Sequence, residues 1–455
     1  MQPREHELGT RPADADAARA RLARELRHRG RPLSRSVAEA FARVPRHVFV
    51  PEAGAAAAYR DEAFVIKCGP DGMPVSSSSQ PAMMAIMLDQ LGLEPGHRVL
   101  EIGTGSGYNA AVMSAVVGVQ GQVVSIDIDP ELVERSQASL AEAGYDRVTL
   151  LCADGGFGDP AGAPFDRIIV TAGAWDIAPA WLEQVVPGGL LVLPLSIRGI
   201  QLSVALQRRD DPRGPRSSGP SPRGCDEWVG MSAWRCGFVR MLGAFAGPEG
   251  AFLLDGPNGL IAQVSDGSPL DGPALQRALS TAPTGEQPLP QPGAQADLAD
   301  LDLWLTVTAA GLDRVTVLAA PGGWLPLGSL LPFGGLVSNA TDASRLGVAL
   351  LLPADPGPEP EAVQAAASGR APPGQTGFGR AASGALVRGF GPTGAELAAS
   401  LADLATRWVD LGRPGAQELG LVVRPVHAGR SAAPNPGMLL LQRPSVSIEV
   451  GWPCT

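Results

Sequence analysis

Three glycines at alternate positions, Gly103, Gly105 and Gly107, begin two residues after an acid, Glu101, within RVLEIGTGSGYNAAVMSAVVG (98–118). Glycine lets a backbone turn sharply and lets a ligand approach with no Cβ in the way. The spacing is G-x-G-x-G, not the G-x-G-x-x-G of a pyrophosphate binder. A second acid, Asp127, ends the apolar run 123–126 and is followed by Ile128. An acid at the tip of a second strand, roughly 20 residues past the glycines, is placed to accept hydrogen bonds from ribose hydroxyls. A helix cap or a solvated acid is the alternative. Asp154-Gly155 ends a third apolar run. It is positioned for the amine edge of an adenine ring, and it is also an ordinary turn pair. Four serines, Ser76, Ser77, Ser78 and Ser79, precede Gln80 and Pro81. They read either as a cap with a polar loop or as a hydroxyl-lined loop facing the glycine turn and able to donate to a ligand carboxylate.

These residues need a scaffold. An apolar run (Val99, Leu100, Ile102) enters the glycine turn and an Ala/Val/Met-rich run leaves it, which predicts strand, tight turn, helix. Helices are predicted over 13–28, 37–43, 81–91, 130–143 and 175–184, with Pro81 suited to a first helical turn and Ser79 near its N-cap. Strands are predicted over 64–67, 148–152, 165–171 and 190–195, with a turn at 187–189. VPRHVFVP (44–51) reads as extended, and its His47 as a packing or hydrogen-bonded residue, because one base without partners is no constellation. Alternating strands and helices form an open parallel α/β sheet, and ligands bind such sheets at the carboxyl ends of the strands, where these motifs fall.

With 455 residues, two or three domains are expected. A net charge of −10 and a pI near 5.1 exclude a general nucleic-acid binder, because no basic stripe exists to neutralise phosphates. Cys68, Cys152, Cys225, Cys236 and Cys454 are scattered, with no zinc-ligand spacing, and read as free thiols of a reducing cytosol. No metal site, signal peptide or membrane-spanning run is expected, and a cytoplasmic protein is. Gly and Pro make up about a fifth of the chain, so loops are abundant. Residues 1–11 read as a disordered tail, and 208–223 (RRDDPRGPRSSGPSPR) as a mobile insertion.

Together the motifs resemble class I S-adenosyl-L-methionine (SAM) methyltransferases, and more narrowly the protein-L-isoaspartate O-methyltransferase family. The resemblance runs over 43–208, through VPRHVFVPE, AYRDEAF, SSSSQPAMMA, VLEIGTGSGYNAAV, VVSIDID, LCADGGFGD, APFDRIIVTAGA and VPGGLLVLPL. It implies a Rossmann-like sheet, SAM as cofactor and a peptide or protein carboxylate as methyl acceptor. It implies Ser79 as the active-site serine, with Ser77, Ser78 and Gln80 lining the cofactor and substrate pocket. Glu101, Gly103, Thr104, Gly105 and Gly107 would serve the methionine part of SAM, Asp127 with Ile128 the ribose, and Asp154 with Gly155 the adenine. Thr171 and Ala172 would wall the substrate. The loop KCGPDGMPVSSSSQ and about 200 further residues depart from the repair enzymes. Both resemble the branch that tailors ribosomally made peptides such as lanthipeptides and graspetides, giving aspartimide or isoaspartate.

The second half reads as an α+β accessory domain over 247–455, behind an N-terminal helical and substrate-loop segment (1–95) and a SAM-binding part (96–246). GFVRMLGAFAG (237–247) resembles the closing segment of the peptide-modifying branch. Short strands are predicted over 301–309, 315–319, 347–352, 386–390 and 419–426. A helix is predicted over 394–411, with Leu397, Leu401, Leu404, Ala405 and Trp408 on one face. Two β-like runs fall within 438–450, and 283–294 and 353–374 are Pro/Gly-rich breaks. His427 reads as structural, and substrate recognition is the role expected of this half. The expected function is methylation of an aspartate in a modified precursor peptide. Isoaspartyl repair is the alternative, and a non-catalytic SAM-binding protein the alternative of another class.

Overall fold

The computed structural model describes residues 12–28, 33–70, 72–209, 227–248, 250–254, 260–264, 271–279, 281–289, 295–309, 312–319, 333–338, 345–353, 385–426 and 438–452. The N-terminal tail, Cys225, His427, Cys454 and most of the breaks at 208–223 and 353–374 lie outside the described residues. The chain divides into two compact units, which interrupt one another along the sequence. Unit 1 takes residues 1–195, 203–231 and 236–246, and unit 2 takes 196–202, 232–235 and 247–455.

Unit 1 begins with helices α1 (Pro12–His28), α2 (Arg35–Arg43) and the single turn α3 (Arg46–Phe49). A hairpin follows, β1 (Phe64–Cys68) against β2 (Pro74–Ser78), and then α4 (Pro81–Leu91). Next come β3 (Arg98–Ile102), α5 (Tyr108–Val117), β4 (Gln122–Asp127), α6 (Pro130–Glu142), β5 (Thr149–Cys152) and β6 (Phe165–Val170). Helix α7 (Pro179–Gln184) leads into β7 (Val185–Ile197), β8 (Ile200–Arg208) and β9 (Trp228–Cys236). The strand order runs β9-β8-β7-β6-β3-β4-β5, with β7, β6, β3, β4 and β5 parallel. This is a Rossmann-like sheet whose order reverses at β3, so the carboxyl ends of β3, β4 and β6 open on one crevice. Strand β3 lies in the middle and is buried from Val99 onward, which explains its continuous apolar run. On one face α2 and α5 bury Phe41, Val112 and Met113, and the Tyr108 ring meets Phe41 (6.1 Å) and Phe49 (5.6 Å) edge-on or tilted.

Three local readings are corrected. VPRHVFVP is not extended: Pro45 caps α3. The turn expected at 187–189 is absorbed into β7, where Gly188 takes φ +76° and the β6 register shifts between Phe165 and Arg167. The helix expected from 175 starts only at Pro179, whose fixed φ suits a first helical turn.

Unit 2 holds a seven-stranded antiparallel sheet built from β10 (Gly250–Leu254), β11 (Leu260–Val264), β12 (Gly285–Pro288), β13 (Asp313–Ala319), β14 (Phe333–Ser338), β15 (Gly347–Pro353) and β16 (Ala385–Phe390). Their order is β10-β11-β13-β14-β15-β16-β12. Its helices are α8 (Gly272–Leu279), α9 (Gln295–Thr308) and α10 (Gly394–Asp410). Strands β17 (Gly420–Pro425), β18 (Leu439–Gln442) and β19 (Val446–Gly451) pair antiparallel with β19 in the middle. Leu397, Leu401, Ala405 and Trp408 of α10 are buried with Val387 and Trp304. The strand predicted over 301–309 is not present. Those residues form most of α9 instead: Asp302 and Thr306, four apart, share a helix face and both hold the buried Arg314 (2.9 and 3.1 Å).

Candidate active site

The glycine turn needs its glycines for space as well as for φ. Gly103 has φ +102°, and a Cβ there would stand 2.6 Å from Thr171 Oγ1. Thr171, just past β6, donates its hydroxyl to the Gly103 carbonyl (2.7 Å). Gly105 has φ +53° and faces the Ser77 carbonyl and the Ser76 hydroxyl. The N–H groups of Gly103 and Thr104 both donate to the Ile126 carbonyl (2.8 and 3.2 Å), which ties the turn to the end of β4. Gly107 caps α5 and packs on Ser136.

Two carboxylates lie on either side of this turn. Asp127 accepts from the N–H groups of Gly105 (2.9 Å) and Asp129 (3.1 Å), and burial raises its pKa. Glu101 is fully buried, and burial pushes its pKa up to about 7. Ser125 Oγ donates to one Glu101 oxygen (2.6 Å) and Asn109 Nδ2 to the other (2.7 Å), while the Ser125 and Thr104 hydroxyls pair at 2.7 Å.

Strand β2 brings the serines over the turn. Ser76 and Ser78 are buried, and Ser78 Oγ has no hydrogen-bond partner. Gln80 holds the N-cap position of α4, and its side chain donates to Asp61 Oδ2 (3.0 Å) and to the Asp61 carbonyl (3.1 Å). His47 Nδ1 and the Tyr59 hydroxyl lie 2.8 Å apart, a hydrogen bond rather than a catalytic base.

One cavity in unit 1 is walled by Ser77, Ser78, Ser79, Gly103, Thr104, Gly105, Asp127, Ile128, Gly155 and Thr171. Ala172 lines it as well. Four further expected site residues, Gln80, Glu101, Gly107 and Asp154, do not line it. Glu101 lies behind the turn and meets the cavity through Asn109. Asp154 accepts from the N–H groups of Gly156 (2.9 Å) and Ala244 (2.7 Å). Gly155 is packed so closely that a Cβ would be 2.4 Å from Ile102 Cγ2.

The motifs left two parts of the wall unassigned. Tyr108 and Asn109 open α5 and line the cavity. Their position directly after the last glycine was the available signal. Residues 238–242 close the opposite side. They are anchored where the Gly173 N–H donates to the Val239 carbonyl (2.8 Å) and the Met241 N–H to the Gly173 carbonyl (3.0 Å). Arg240 is the one cation among the described residues that line the cavity.

The lining offers unpaired polar atoms to a polar ligand such as SAM. Ser78 Oγ, Tyr108 OH and Asn109 Oδ1 are buried polar atoms without protein partners, and all three residues face the cavity. Among the described residues no three His, Cys, Asp or Glu side chains come together as a metal would require. No helix among them is long and apolar enough to cross a membrane.

A family model described as Protein-L-isoaspartate(D-aspartate) O-methyltransferase (PCMT) matches residues 17–216. A protein-L-isoaspartate O-methyltransferase of Methanopyrus kandleri is 44% identical over 195 residues, covering 43% of this chain and 84% of that protein. Protein-L-isoaspartate O-methyltransferase 2 of Archaeoglobus fulgidus is 46% identical over 182 residues, covering 40% and 80%. A solved protein-L-isoaspartate O-methyltransferase superposes with a TM-score of 0.44 at 22% identity, covering 89% of this chain and 96% of that one.

Proposed function

The chain belongs to the protein-L-isoaspartate O-methyltransferase family of SAM-dependent protein carboxyl methyltransferases, and from that premise we propose that it methylates the free carboxylate of isoaspartyl residues in peptides or proteins. The observation that carries this reading is the extent of the match. Residues 17–216 include every lining residue of the cavity apart from 238–242. Membership of an enzyme family also speaks against a non-catalytic SAM-binding role.

Bound SAM supplies the methyl group that passes to a carboxylate oxygen. Gly103, Thr104 and Gly105 would hold its methionine part, Asp127 with Ile128 its ribose, and Gly155, backed by Asp154, its adenine. A carboxylic acid of pKa about 4 is already ionised at pH 7, so no side chain has to remove a proton. The chain's task is then to place and desolvate the acceptor. Ser79 would donate a hydrogen bond to one carboxylate oxygen and so aim the other, while Met84, Met87 and Ile169 keep water from its surroundings. The ester carbonyl is then open to the next backbone amide nitrogen, which expels methanol and closes a succinimide without a further residue of the chain.

Tailoring of a ribosomally made peptide is the second reading. Unit 2 supports it, because it lies almost wholly beyond the residues that match the family and a constrained substrate needs a larger recognition surface. Both readings place the chain in the cytoplasm.

Mass spectrometry separates them. The full chain is incubated with SAM and either a linear isoaspartyl peptide, its aspartyl counterpart or a macrocyclic peptide that contains an ordinary aspartate. One added methyl on the isoaspartyl peptide alone is expected, and Ser79→Ala should lower turnover far more than cofactor affinity. Modification of an ordinary aspartate only within a macrocyclic peptide would replace this reading by the second one.

A further inference from the structure

We infer that Arg46 is a positioning residue for the methyl acceptor: its buried guanidinium holds the Ser79 carbonyl and so sets where the Ser79 hydroxyl stands against the glycine turn. The inference rests on the isoaspartyl methyltransferase reading above.

Arg46 is 0% exposed. Its Nη1 donates to the carbonyls of Ala58 (2.9 Å) and Arg60 (3.0 Å), and its Nη2 to those of Glu62 (2.9 Å) and Ser79 (3.0 Å). The guanidinium carbon lies 5.0 Å from the centre of the Phe64 ring and 5.7 Å from that of Tyr108. One side chain therefore touches the 58–62 loop, the first residue of β1, Ser79 and the first residue of the helix that leaves the glycine turn. Its hydrogen-bond partners are four backbone carbonyls rather than a carboxylate. Burial pushes its pKa down to about 10, so the group stays charged at pH 7.

A buried cation is expensive to keep, and a packed apolar group is often no worse for stability. What an apolar group cannot do is hold four carbonyls in fixed relative positions, as the planar fork does. Just past Ser79 the chain is held again, by Asp61, which accepts from the Gln80 side chain (3.0 Å) and from the Ala82 N–H (2.8 Å). Arg46 thus holds the Ser79 carbonyl, and Asp61 the Gln80 side chain and the Ala82 N–H, while Ser79 itself lines the cavity.

The test compares Arg46→Lys with the wild-type chain. Lysine keeps the charge but is a point donor that cannot span the four carbonyls. A shift of the acceptor on the order of 1 Å should lower kcat by about 10²-fold, while the Kd for S-adenosyl-L-homocysteine and the KM for an isoaspartyl peptide stay near wild type. Added guanidinium ion should restore part of the turnover of Arg46→Gly. Amide hydrogen exchange over residues 76–80 should rise in Arg46→Lys and stay unchanged over 98–107. Full kcat in Arg46→Lys, or cofactor affinity falling in proportion to kcat, overturns the inference. If Arg46→Lys does not fold, Arg46→Gln is read in the same way; if neither folds, the residue is structural and the inference falls. If the wild-type chain methylates no isoaspartyl peptide, the functional reading falls instead, and the exchange pattern still decides the part played by Arg46.

Discussion

The Oδ2 oxygen of Asp127 accepts the backbone N–H of Gly105 at 2.9 Å, so the acid at the tip of β4 and the middle glycine of the turn form one unit. Asp127 also lines the cavity, and a carboxylate has about four acceptor sites, more than the N–H groups of Gly105 and Asp129 use. Replacing it with Ala removes the turn's anchor and the acceptor proposed for the ribose together. Affinity for S-adenosyl-L-homocysteine should fall by about 10- to 100-fold, the worth of a hydrogen bond to a charged group. Asp127→Asn should lose less. Calorimetric titration reads both, and unchanged affinity in Asp127→Ala would remove this residue from the cofactor site.

Gly103→Ala combines two penalties. At φ +102° an L-residue is strained, and its Cβ would meet Thr171 Oγ1 at 2.6 Å. Strain of this kind costs about 1–3 kcal/mol. Thermal unfolding should shift downward and cofactor binding should be lost. In Gly103→Ala/Thr171→Ala the collision is relieved and the strain is not, so recovery should be partial. Complete recovery would mean that the φ angle costs nothing there.

Glu101 makes stability depend on pH in an unusual direction. Burial raises its folded pKa from 4.5 to about 7. Between those values the folded state binds more protons than the unfolded one, so stability falls as pH rises through this window. The full effect is on the order of 3 kcal/mol, since one pKa unit corresponds to about 1.4 kcal/mol. Glu101→Gln cannot ionise, so in urea melts it should gain on the wild type between pH 5 and about 7 and level off above that. A constant difference across that range would contradict the assignment.

Lys67 of β1 reaches across to Asp129 (2.6 Å) and Glu131 (2.5 Å) at the start of α6, which ties the serine hairpin to the Asp127 side of the cavity. The carboxylates raise its pKa. All three groups are partly solvent-accessible, so the tie should weaken with salt. Hydrogen exchange over 64–78 should rise with ionic strength in the wild type and be high and insensitive to salt in Lys67→Met. Equal salt dependence in both chains would show that the tie does not hold the hairpin.

The open sheet and the cofactor were legible because β3, β4 and their turn carry local signals: a continuous apolar run, glycines at φ values that other residues rarely adopt, and an acid at a strand tip. What escaped is non-local. Nothing in GFVRMLG says that Val239 and Met241 will bond Gly173 and close the cavity. The inward or outward facing of Glu101 and Asn109 depends on Ser125, a residue of the next strand. In unit 2, LDLWLTVTA is helical because Asp302 and Thr306, four apart, both serve Arg314, a partner that lies outside the segment.

Residues 196–202 and 232–235 belong to unit 2, though they precede the rest of it in the chain. Arg198 donates to the carbonyls of Thr306 (2.7 Å) and Ala309 (3.2 Å), and Arg443 reaches the Ser196 carbonyl across 247 positions of sequence. On the ribosome, Ser196 therefore emerges long before the strands that complete its surroundings. A chain released at residue 246 would carry a fragment of a unit that never arrives, so a stop codon there does not yield a methyltransferase with a clean end. Strands β18 and β19 are, in this sense, part of the biosynthetic schedule of a hairpin laid down well before them.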